Sequence, residues 1–326
     1  MRLPARIAAA LLIAATPAAA MAQARSISAS DRAAGAEAHP QLLAQYGGAM
    51  RGPQAAFVDR VARRVAVQSG LSNAPSDWTV TLLNSPVENA FAIPGGYVYV
   101  TRQLLALMNS EAELASVLGH EVGHVAARHS AKRQTRSVIG GLAAAAIGAV
   151  TRSDLAGRVA GTGAQLYTLG FSRQQEYEAD GLGVRYITAA GYTPYAAADM
   201  LAELNDQTAL EAAIEGRPNG QPTFMSTHPN GPDRVARARK LAEATGAPDT
   251  TERQDTVFLR MLDGLPYDDG SRVVRILTVR PGDTAERLAA RMAYPDHQLD
   301  RFAVLNALDP REPLRPGTLV KIIAAR

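Results

Sequence analysis

A short cluster of histidine and glutamate lies inside a predicted helix and restricts how this chain can fold. The cluster is HEVGH at residues 120–124. Ser110 and Glu113 form the S-x-x-E pattern of a capping box, which predicts a helix that begins there and runs to about His129. Three apolar residues on the preceding turns predict that one face is buried: Leu114, Val117 and Leu118. Because buried ionisable side chains need polar or charged partners, the fold must bring such partners to this helix.

The spacing of the two histidines suits a metal ion. His120 and His124 are one helical turn apart, about 6 Å along one face, so both imidazoles can reach one ion at about 2.0 Å. Glu121 lies beside the first of them, where it can accept the proton of a water molecule held at the metal. This pattern favours metal-assisted hydrolysis. The alternative is a chance pair of histidines on a solvated face.

The third metal ligand must come from elsewhere in the chain. The sequence contains no cysteine, so that ligand is a histidine, aspartate or glutamate. The metzincin arrangement needs a histidine six residues after His124 and a glycine three residues before that histidine. These positions are Ser130 and Ala127, so we reject that arrangement. We predict that His129 is a surface or helix-end residue.

The best candidate for the third ligand lies on a later helix, predicted over residues 172–187. Glu176 and Asp180 are one turn apart on this helix. Glu176 can bind the metal, while Asp180 accepts the Nδ1 proton of a ligand histidine and orients its ring. Glu178 points away from both and is predicted to be solvated. Without the upstream motif, an ordinary acidic helix start would be the favoured interpretation.

Four motifs in this order resemble the M48 family of zinc metallopeptidases, in particular its secreted, periplasmic bacterial branch. They are NAFAIPGG at residues 89–96, HEVGH, EYEAD at residues 176–180 and STHP at residues 226–229. The resemblance implies one Zn²⁺ per chain, held by three ligands: His120, His124 and Glu176. It also implies that Glu121 is the catalytic base and that Asp180 supports the ligands from behind.

The resemblance implies roles for two further residues. His228 is either a removable fourth zinc ligand that keeps an enzyme latent or a donor to the tetrahedral oxyanion. An ordinary loop histidine before proline stays open as the alternative. Arg234 falls on the family's arginine and is grouped with His228 and Glu121 among the catalytic residues.

Residues 89–101 suggest how a substrate binds. An extended polypeptide can add as a strand to an exposed sheet edge and form main-chain hydrogen bonds that need no particular sequence. We assign this edge to six residues: Asn89, Ala90, Phe91, Ala92, Gly95 and Gly96. The expected substrates are therefore unfolded or misassembled proteins of the cell envelope.

The first residues have the pattern of a secretory signal peptide. Arg2 and Arg6 precede an apolar run and a small-residue stretch that ends at Ala22, where we predict cleavage. The mature chain is then expected in the periplasm and begins with a flexible leader over residues 23–40. Without those two arginines, 32 Lys and Arg balance 31 Asp and Glu, so charge provides no reason to expect a nucleic-acid partner.

The apolar residues 138–150 raise the question of membrane contact. They are too few to span a bilayer, which needs about 20 apolar residues. We interpret them as a buried helix, with peripheral membrane contact as the less favoured alternative.

A change in composition predicts a second, smaller module. A linker over residues 251–272 is expected to separate a peptidase domain at 41–250 from a module at 273–326. The module's pattern is strand, helix, helix, strand. It resembles a LysM module in three places: residues 281–284, residues 305–306 and residues 316–317. This resemblance implies binding of N-acetylglucosamine-containing glycans such as peptidoglycan. Only Tyr294 and Phe302 offer rings for sugar stacking, so docking onto the peptidase is an equal alternative.

Together these patterns predict an α+β fold that is predominantly helical, with a small β-sheet beside the HExxH helix of a zincin-like domain. The predicted function is that of a zinc-dependent endopeptidase in envelope protein quality control. Two other classes stay open. One is a chaperone-like or peptidoglycan-associated binding protein with a weakly active zinc site capped by His228. The other is a peptidoglycan amidase, whose ligand patterns usually differ from HExxH.

Overall fold

Helices surround two small sheets in this chain, which confirms the prediction of a predominantly helical α+β fold. The computed structural model describes residues 27–130, 170–215, 224–228, 232–250 and 255–326. The predicted signal peptide and the apolar run at 138–150 lie outside the described residues. Among the described helices, none has both the length and the apolar character needed to cross a membrane.

A three-stranded sheet and the helices around it build the first part of the fold. In chain order these elements are α1 (Ala29–Gln45), α2 (Pro53–Ala66), β1 (Thr79–Leu83), β2 (Ala90–Ile93), β3 (Tyr97–Thr101), α3 (Arg102–Leu107) and α4 (Glu111–Ala126). β3 lies in the middle of the sheet, parallel to β1 and antiparallel to β2. β2 lies at an edge of this sheet.

Helices and a second sheet build the rest. These elements are α5 (Arg173–Ala189), α6 (Ala196–Glu215), α7 (Phe224–Thr227), α8 (Pro232–Glu243), α9 (Thr256–Leu262), β4 (Pro266–Tyr267), β5 (Arg272–Thr278), α10 (Ala285–Ala289), α11 (Gln298–Leu305) and β6 (Leu319–Ala325). β5 pairs antiparallel with both β4 and β6. The expected order of strand, helix, helix and strand is therefore present in residues 272–325.

The predicted flexible leader is wrong for residues 29–40, which belong to α1. Ser28 caps this helix by accepting a hydrogen bond from the Asp31 N–H. A Cβ added at Gly35 would lie 2.3 Å from a carbonyl oxygen of the β2–β3 turn, so the helix lies directly on that turn. This helix could not be predicted from the sequence, because its Ala-rich, polar composition shows no apolar face. Contact with the sheet stabilises it instead.

The predicted linker is wrong for residues 256–267. Asp255 caps α9 by accepting hydrogen bonds from two backbone N–H groups of its first turn. Phe258, Leu259 and Leu262 on this helix are buried, as is Tyr267 on β4. The polar residues just before this stretch suggested a solvated connection, whereas its apolar side chains join the main core.

The C-terminal module packs onto the preceding part of the chain. Most of its buried apolar residues belong to the same hydrophobic cluster as those of α3 and α4. Lys321 on β6 is fully buried, and its Nζ lies 2.8 Å from each of three backbone carbonyl oxygens. These carbonyls belong to Ala106, Leu107 and Met108 at the end of α3, where helix geometry leaves them without partners. One lysine of the module thus caps a helix of the preceding part of the chain.

Candidate metal centre

α4 carries the HEVGH residues into the protein interior. The Ser110 hydroxyl accepts a hydrogen bond from the Glu113 N–H and begins the helix, as the capping-box pattern predicted. His120, Glu121 and His124 are exposed to only 6%, 1% and 2%. Such burial requires partners for all three side chains.

Glycines let α5 pack unusually close to α4. A Cβ added at Gly183 would lie 3.0 Å from the backbone nitrogen of His120. One added at Gly123 would lie 3.0 Å from the Ala179 carbonyl oxygen. The two backbones therefore approach more closely than larger side chains would allow. This close approach brings Glu176, near the start of α5, against the histidine pair.

Four candidate ligand atoms meet in one buried cluster. His120, His124, Glu176 and His228 each contribute one atom, and these atoms all lie within 4.8 Å of one another. The Nε2 atoms of His120 and His124 are 2.9 Å apart, and His124 Nε2 is 3.4 Å from Glu176 Oε1. His228 Nδ1 is 3.2 Å from His120 Nε2. Ligands at about 2.0–2.1 Å around a tetrahedral zinc ion are about 3.3–3.4 Å apart, so these spacings fit zinc.

The proton positions within the cluster also favour a cation. His120 Nδ1 is 2.9 Å from Asp180 Oδ1, and an ionised carboxylate can only accept, so this nitrogen carries a proton. The Nδ1 of His124 likewise has a hydrogen-bond partner, in His129. Each ring then directs its Nε2 toward the other at 2.9 Å. Two ring nitrogens that face each other at this distance need a shared proton or a metal ion between them, and imidazoles with a carboxylate are ligands that zinc prefers.

Asp180 and Arg234 hold the candidate ligands in place through hydrogen bonds. Arg234 donates to both Asp180 oxygens, from Nε at 2.9 Å and from Nη2 at 2.7 Å, and its Nη1 lies 2.8 Å from Glu176 Oε2. Nη1 also donates to the His228 carbonyl oxygen at 3.2 Å. The arginine is 2% exposed. These contacts give Arg234 a positioning role, and its direct part in catalysis stays a prediction.

Two aromatic rings confine the histidines. Phe224 stacks on His228 with ring centroids 4.6 Å apart, and Phe171 stacks on His124 at 3.9 Å. The N–H of His228 donates to the Phe224 carbonyl oxygen at 2.8 Å within the turn of α7. Neither phenylalanine is predictable from the sequence, because a single aromatic residue in a loop has no periodic pattern that would mark it.

The charge states of the cluster follow from burial and from neighbouring charges. Burial disfavours ionisation of Glu176, but His228, His120 and His124 hold the pKa of this carboxyl below its ordinary value. Burial lowers the pKa of His124 well below its ordinary value, although Glu176 opposes this. Burial would also lower the pKa of His120, but hydrogen bonds to Asp180 and Glu176 raise it to about 10. An ionised Glu176 and a neutral His124 are the forms that bind a metal.

Glu121 has the surroundings of a general base. Burial raises the pKa of its carboxyl above the ordinary value, although His228 and His120 partly offset this. Its Oε1 is buried and accepts no hydrogen bond from the described residues. A carboxylate with a raised pKa and an unused acceptor is suited to taking a proton near neutral pH.

Some main-chain N–H and C=O groups of the edge strand β2 point away from the sheet. Alternate residues of an antiparallel pair hydrogen-bond to the partner strand. The Thr101 N–H donates to the Asn89 carbonyl oxygen at 2.9 Å, so the main-chain groups of Asn89 point toward β3. Two residues later, the main-chain groups of Phe91 also point toward β3. The N–H and C=O groups of Ala90 and Ala92 therefore point away from β3. Both groups of Ala90 and the Ala92 carbonyl can pair with an added strand, whereas the Ala92 N–H bonds to the Glu121 carboxyl.

This edge borders a cleft that contains the catalytic candidates. Phe91, Ala92, Glu121, Phe171 and His228 line the cleft together. The Ala92 backbone hydrogen-bonds to the Glu121 carboxyl and lowers its pKa slightly against the effect of burial. The structure thus brings the predicted substrate edge next to the predicted base.

Gly95 and Gly96 serve the turn between β2 and β3. Their φ angles are 93° and 83°, in the left-handed region that favours glycine. A Cβ at Gly95 would lie 2.6 Å from the Asp31 carbonyl oxygen, and one at Gly96 would lie 2.5 Å from that of Asp77. Both glycines therefore allow close packing of the turn. Their assignment to the substrate edge stays a prediction.

His129 differs from its prediction. It was expected to be a surface or helix-end residue, and it does follow the end of α4, but its side chain is fully buried. It contacts His124 and Glu178, and the exposed position predicted for Glu178 agrees with its 50% exposed side chain. A helix continued to residue 129 would have turned this histidine away from His124, so sequence spacing could not place it.

Comparison with known proteins agrees with this geometry. Residues 53–242 match the model of Peptidase family M48. The chain is 34% identical over 215 residues to the mitochondrial metalloendopeptidase OMA1 of Schizosaccharomyces pombe, a match that covers 64% of this chain and 58% of that protein. It is 30% identical over 280 residues to the beta-barrel assembly-enhancing protease of Yersinia pestis, covering 81% of this chain and 55% of that protein. The chain thus spans less than two thirds of the length of these relatives.

These matches support a metalloendopeptidase, because both relatives carry the name of a protease or metalloendopeptidase. The resemblance seen in the four sequence motifs is confirmed at the level of the family. The periplasmic branch and the LysM-like module stay predictions. Since the matching region covers more than half of the 326 residues, the chain belongs to Peptidase family M48.

Proposed function

We propose that this chain is a zinc-dependent endopeptidase that cleaves unfolded or misassembled proteins in the bacterial periplasm. The observation that carries the proposal is the buried cluster in which His120, His124 and Glu176 offer three ligand atoms beside Glu121. Two imidazoles and one carboxylate are a common ligand set of catalytic zinc sites. Bound there, zinc would polarise the scissile carbonyl and lower the pKa of a water molecule.

Glu121 is the general base in this proposal. Its buried Oε1 can accept the proton of the attacking water, and the carboxyl can then pass that proton to the leaving amine. His228 Nε2 lies 3.5 Å from the same oxygen, so the two groups face one reaction space. Asp180 and Arg234 keep the ligands in place during this proton transfer.

The β2 edge supports extended, unfolded polypeptides as the substrate class. The outward main-chain groups of Ala90 and the outward carbonyl of Ala92 can pair with any peptide backbone, whatever its side chains. A folded protein seldom offers an unpaired extended segment, so its cleavage is expected to be slower. The relative from Yersinia pestis is named for β-barrel assembly, and misassembled β-barrel proteins are therefore among the substrates we propose.

A periplasmic location rests on the sequence pattern of the first 22 residues. For the C-terminal module, we favour docking over glycan binding by ring stacking. Phe302 is fully buried, and the guanidinium groups of Arg272 and Arg301 each lie 4.2 Å from the ring centroid of Tyr294. Phe302 therefore offers no ring to a glycan, and the contacts with two guanidinium groups reduce the stacking surface of Tyr294.

The test compares the full chain with its Glu121→Gln variant for zinc content and for cleavage of one protein in native and denatured forms. We expect equal zinc, cleavage of the denatured form by the parent, and a loss of about 10²–10⁴-fold in rate for the variant. Equal cleavage of native and denatured protein would argue against the proposed substrate class. Release of soluble muropeptides from peptidoglycan would indicate the amidase alternative.

A second candidate function is that of a chaperone-like binding protein. The observation that favours it is the position of His228 Nδ1, 3.1 Å from Glu176 Oε1, where it can close the metal site against water. Such a protein would use the β2 edge for binding alone. A Glu121→Gln variant that retains the full effect of the parent in cells would favour this candidate.

A further inference from the structure

After α4 ends, the chain turns back and places His129 against His124, one of the proposed metal ligands. α4 ends at Ala126, and Arg128 adopts the left-handed conformation with φ of 55°. In a continued helix, residue 129 would lie about 140° around the axis from residue 124. The left-handed residue instead reverses the chain, and the His129 imidazole lies with its centroid 4.9 Å from that of His124.

Hydrogen bonds connect the His129 imidazole to His124 and to the acidic side chain of Glu178. His129 Nδ1 is 2.9 Å from His124 Nδ1, and His129 Nε2 is 3.1 Å from Glu178 Oε2. An ionised Glu178 can only accept, so His129 carries its proton on Nε2 and has a lone pair on Nδ1. That lone pair accepts the Nδ1 proton of His124. The Nε2 of His124 is thereby left free of a proton and directed into the ligand cluster.

The two ligand histidines of α4 are thus oriented in different ways. His120 donates from Nδ1 directly to Asp180, whose carboxylate is fixed by Arg234. His124 donates through an inserted imidazole to a carboxylate whose side chain is 50% exposed. Both arrangements leave the same nitrogen, Nε2, available to a metal.

We propose that His129 is a positioning residue of the metal centre: it holds His124 in the Nδ1-protonated tautomer and fixes its ring plane, with Glu178 as the terminal acceptor. This inference rests on the proposed function in one respect, which is that His124 binds the metal. Phe171 covers His124 by stacking and adds a second constraint on the ring.

The test measures zinc affinity by chelator competition in the full-length chain and in His129→Asn and His129→Leu variants. Asparagine places its Oδ1 near the position of the histidine Nδ1 and keeps an acceptor, whereas leucine fills space without one. We expect the leucine variant to lose about 10–100-fold in zinc affinity and the asparagine variant to stay close to the parent. Thermal unfolding of the metal-free proteins measures any effect on folding separately.

Glu178 provides a second test that does not depend on core packing, because half of its side chain is exposed. Glu178→Ala is expected to weaken zinc binding in the same direction as His129→Leu, but less. The exposed Gln174 on the same helix supplies the matched control, Gln174→Ala, which should not change zinc affinity.

The outcomes separate this inference from the proposed function. A parent chain that binds no zinc contradicts the proposed function and this inference with it. A parent that binds zinc with the same affinity as His129→Leu contradicts this inference alone. Equal losses in the asparagine and leucine variants assign His129 to packing and also overturn it.

Discussion

His228 lies where one side chain can either block or assist the reaction. Its Nδ1 is 3.1 Å from Glu176 Oε1 and 3.2 Å from His120 Nε2. This nitrogen therefore occupies the fourth corner of the ligand cluster, which a catalytic zinc site keeps open for water or substrate. Phe224 stacks on the ring and begins the short helix α7, which His228 directly follows. Opening the site thus requires the His228 ring to leave its contact with Phe224.

We expect His228→Ala to raise peptidase activity, because the substitution removes the fourth ligand from the site. If the closed arrangement outnumbers the open one ten to one, the increase is about 10-fold. The measurement is the initial rate of cleavage of an unfolded protein, with zinc content determined on the same sample. The double variant with Glu121→Gln should be inactive. A lower rate with zinc retained would instead assign His228 to the oxyanion.

The contact between α4 and α5 depends on residues without side chains. Gly119 and Gly123 on α4 face Gly183 and Ala179 on α5, and the backbones meet directly. Glycine lowers the stability of a helix by about 1 kcal/mol relative to alanine, so these positions reduce local stability in return for closeness. That closeness places the carboxylate of Glu176 within 3.5 Å of a nitrogen on each of the two ligand histidines of α4.

Gly183→Ala should weaken both folding and zinc binding. The new Cβ would lie 3.0 Å from His120 N and 3.2 Å from Gly119 C, so α5 must move away from α4. We expect a loss of about 1–3 kcal/mol in the free energy of unfolding, together with lower zinc affinity. Thermal unfolding and chelator competition measure the two effects.

The same helix offers a matched control. A Cβ at Gly181 would meet nothing within 4 Å, so Gly181→Ala should leave zinc affinity unchanged and stabilise the helix slightly. Equal behaviour of the two alanine variants would contradict the importance of close packing at Gly183.

The whole molecule behaves as a unit because the C-terminal module shares its core with the peptidase part. Lys321 strengthens this connection by donating to the last carbonyl groups of α3. Arg102 adds a contact in the same region, since its Nη1 donates to the Pro266 carbonyl oxygen at 2.9 Å. A module held in this way cannot move as an independent tail.

Lys321→Met should therefore destabilise the entire protein. The substitution leaves three carbonyl oxygens without their donor, which we expect to cost about 1–3 kcal/mol in the free energy of unfolding. Calorimetry should show one transition at a lower temperature, and loss of peptidase activity should follow the same transition. Lys240→Met, at an exposed lysine on α8, is the control and should be neutral. Separate unfolding of the module before the peptidase part would contradict this expectation.

Residue spacing was sufficient to predict much of the site. His120, Glu121 and His124 lie within one turn of a capped helix, and Glu176 and Asp180 lie within one turn of another, so local geometry alone relates them.

The same reasoning failed for α1 and α9. Their stability comes from contacts with distant parts of the chain, and their composition does not show those contacts. His129 escaped prediction because a single left-handed residue, Arg128, redirects the chain after α4.

The sequence by itself determined which side chains have metal-binding chemistry and on which helix faces they lie, because a helix repeats every 3.6 residues. Only the tertiary structure decided which of these faces meet. Glycines allow α5 to pack closely against α4. The turn after α4 places the His129 imidazole against His124, and the buried Lys321 connects the two parts of the molecule. The physical reason is that spacing describes neighbours along one element, whereas contacts between elements depend on packing across the whole core.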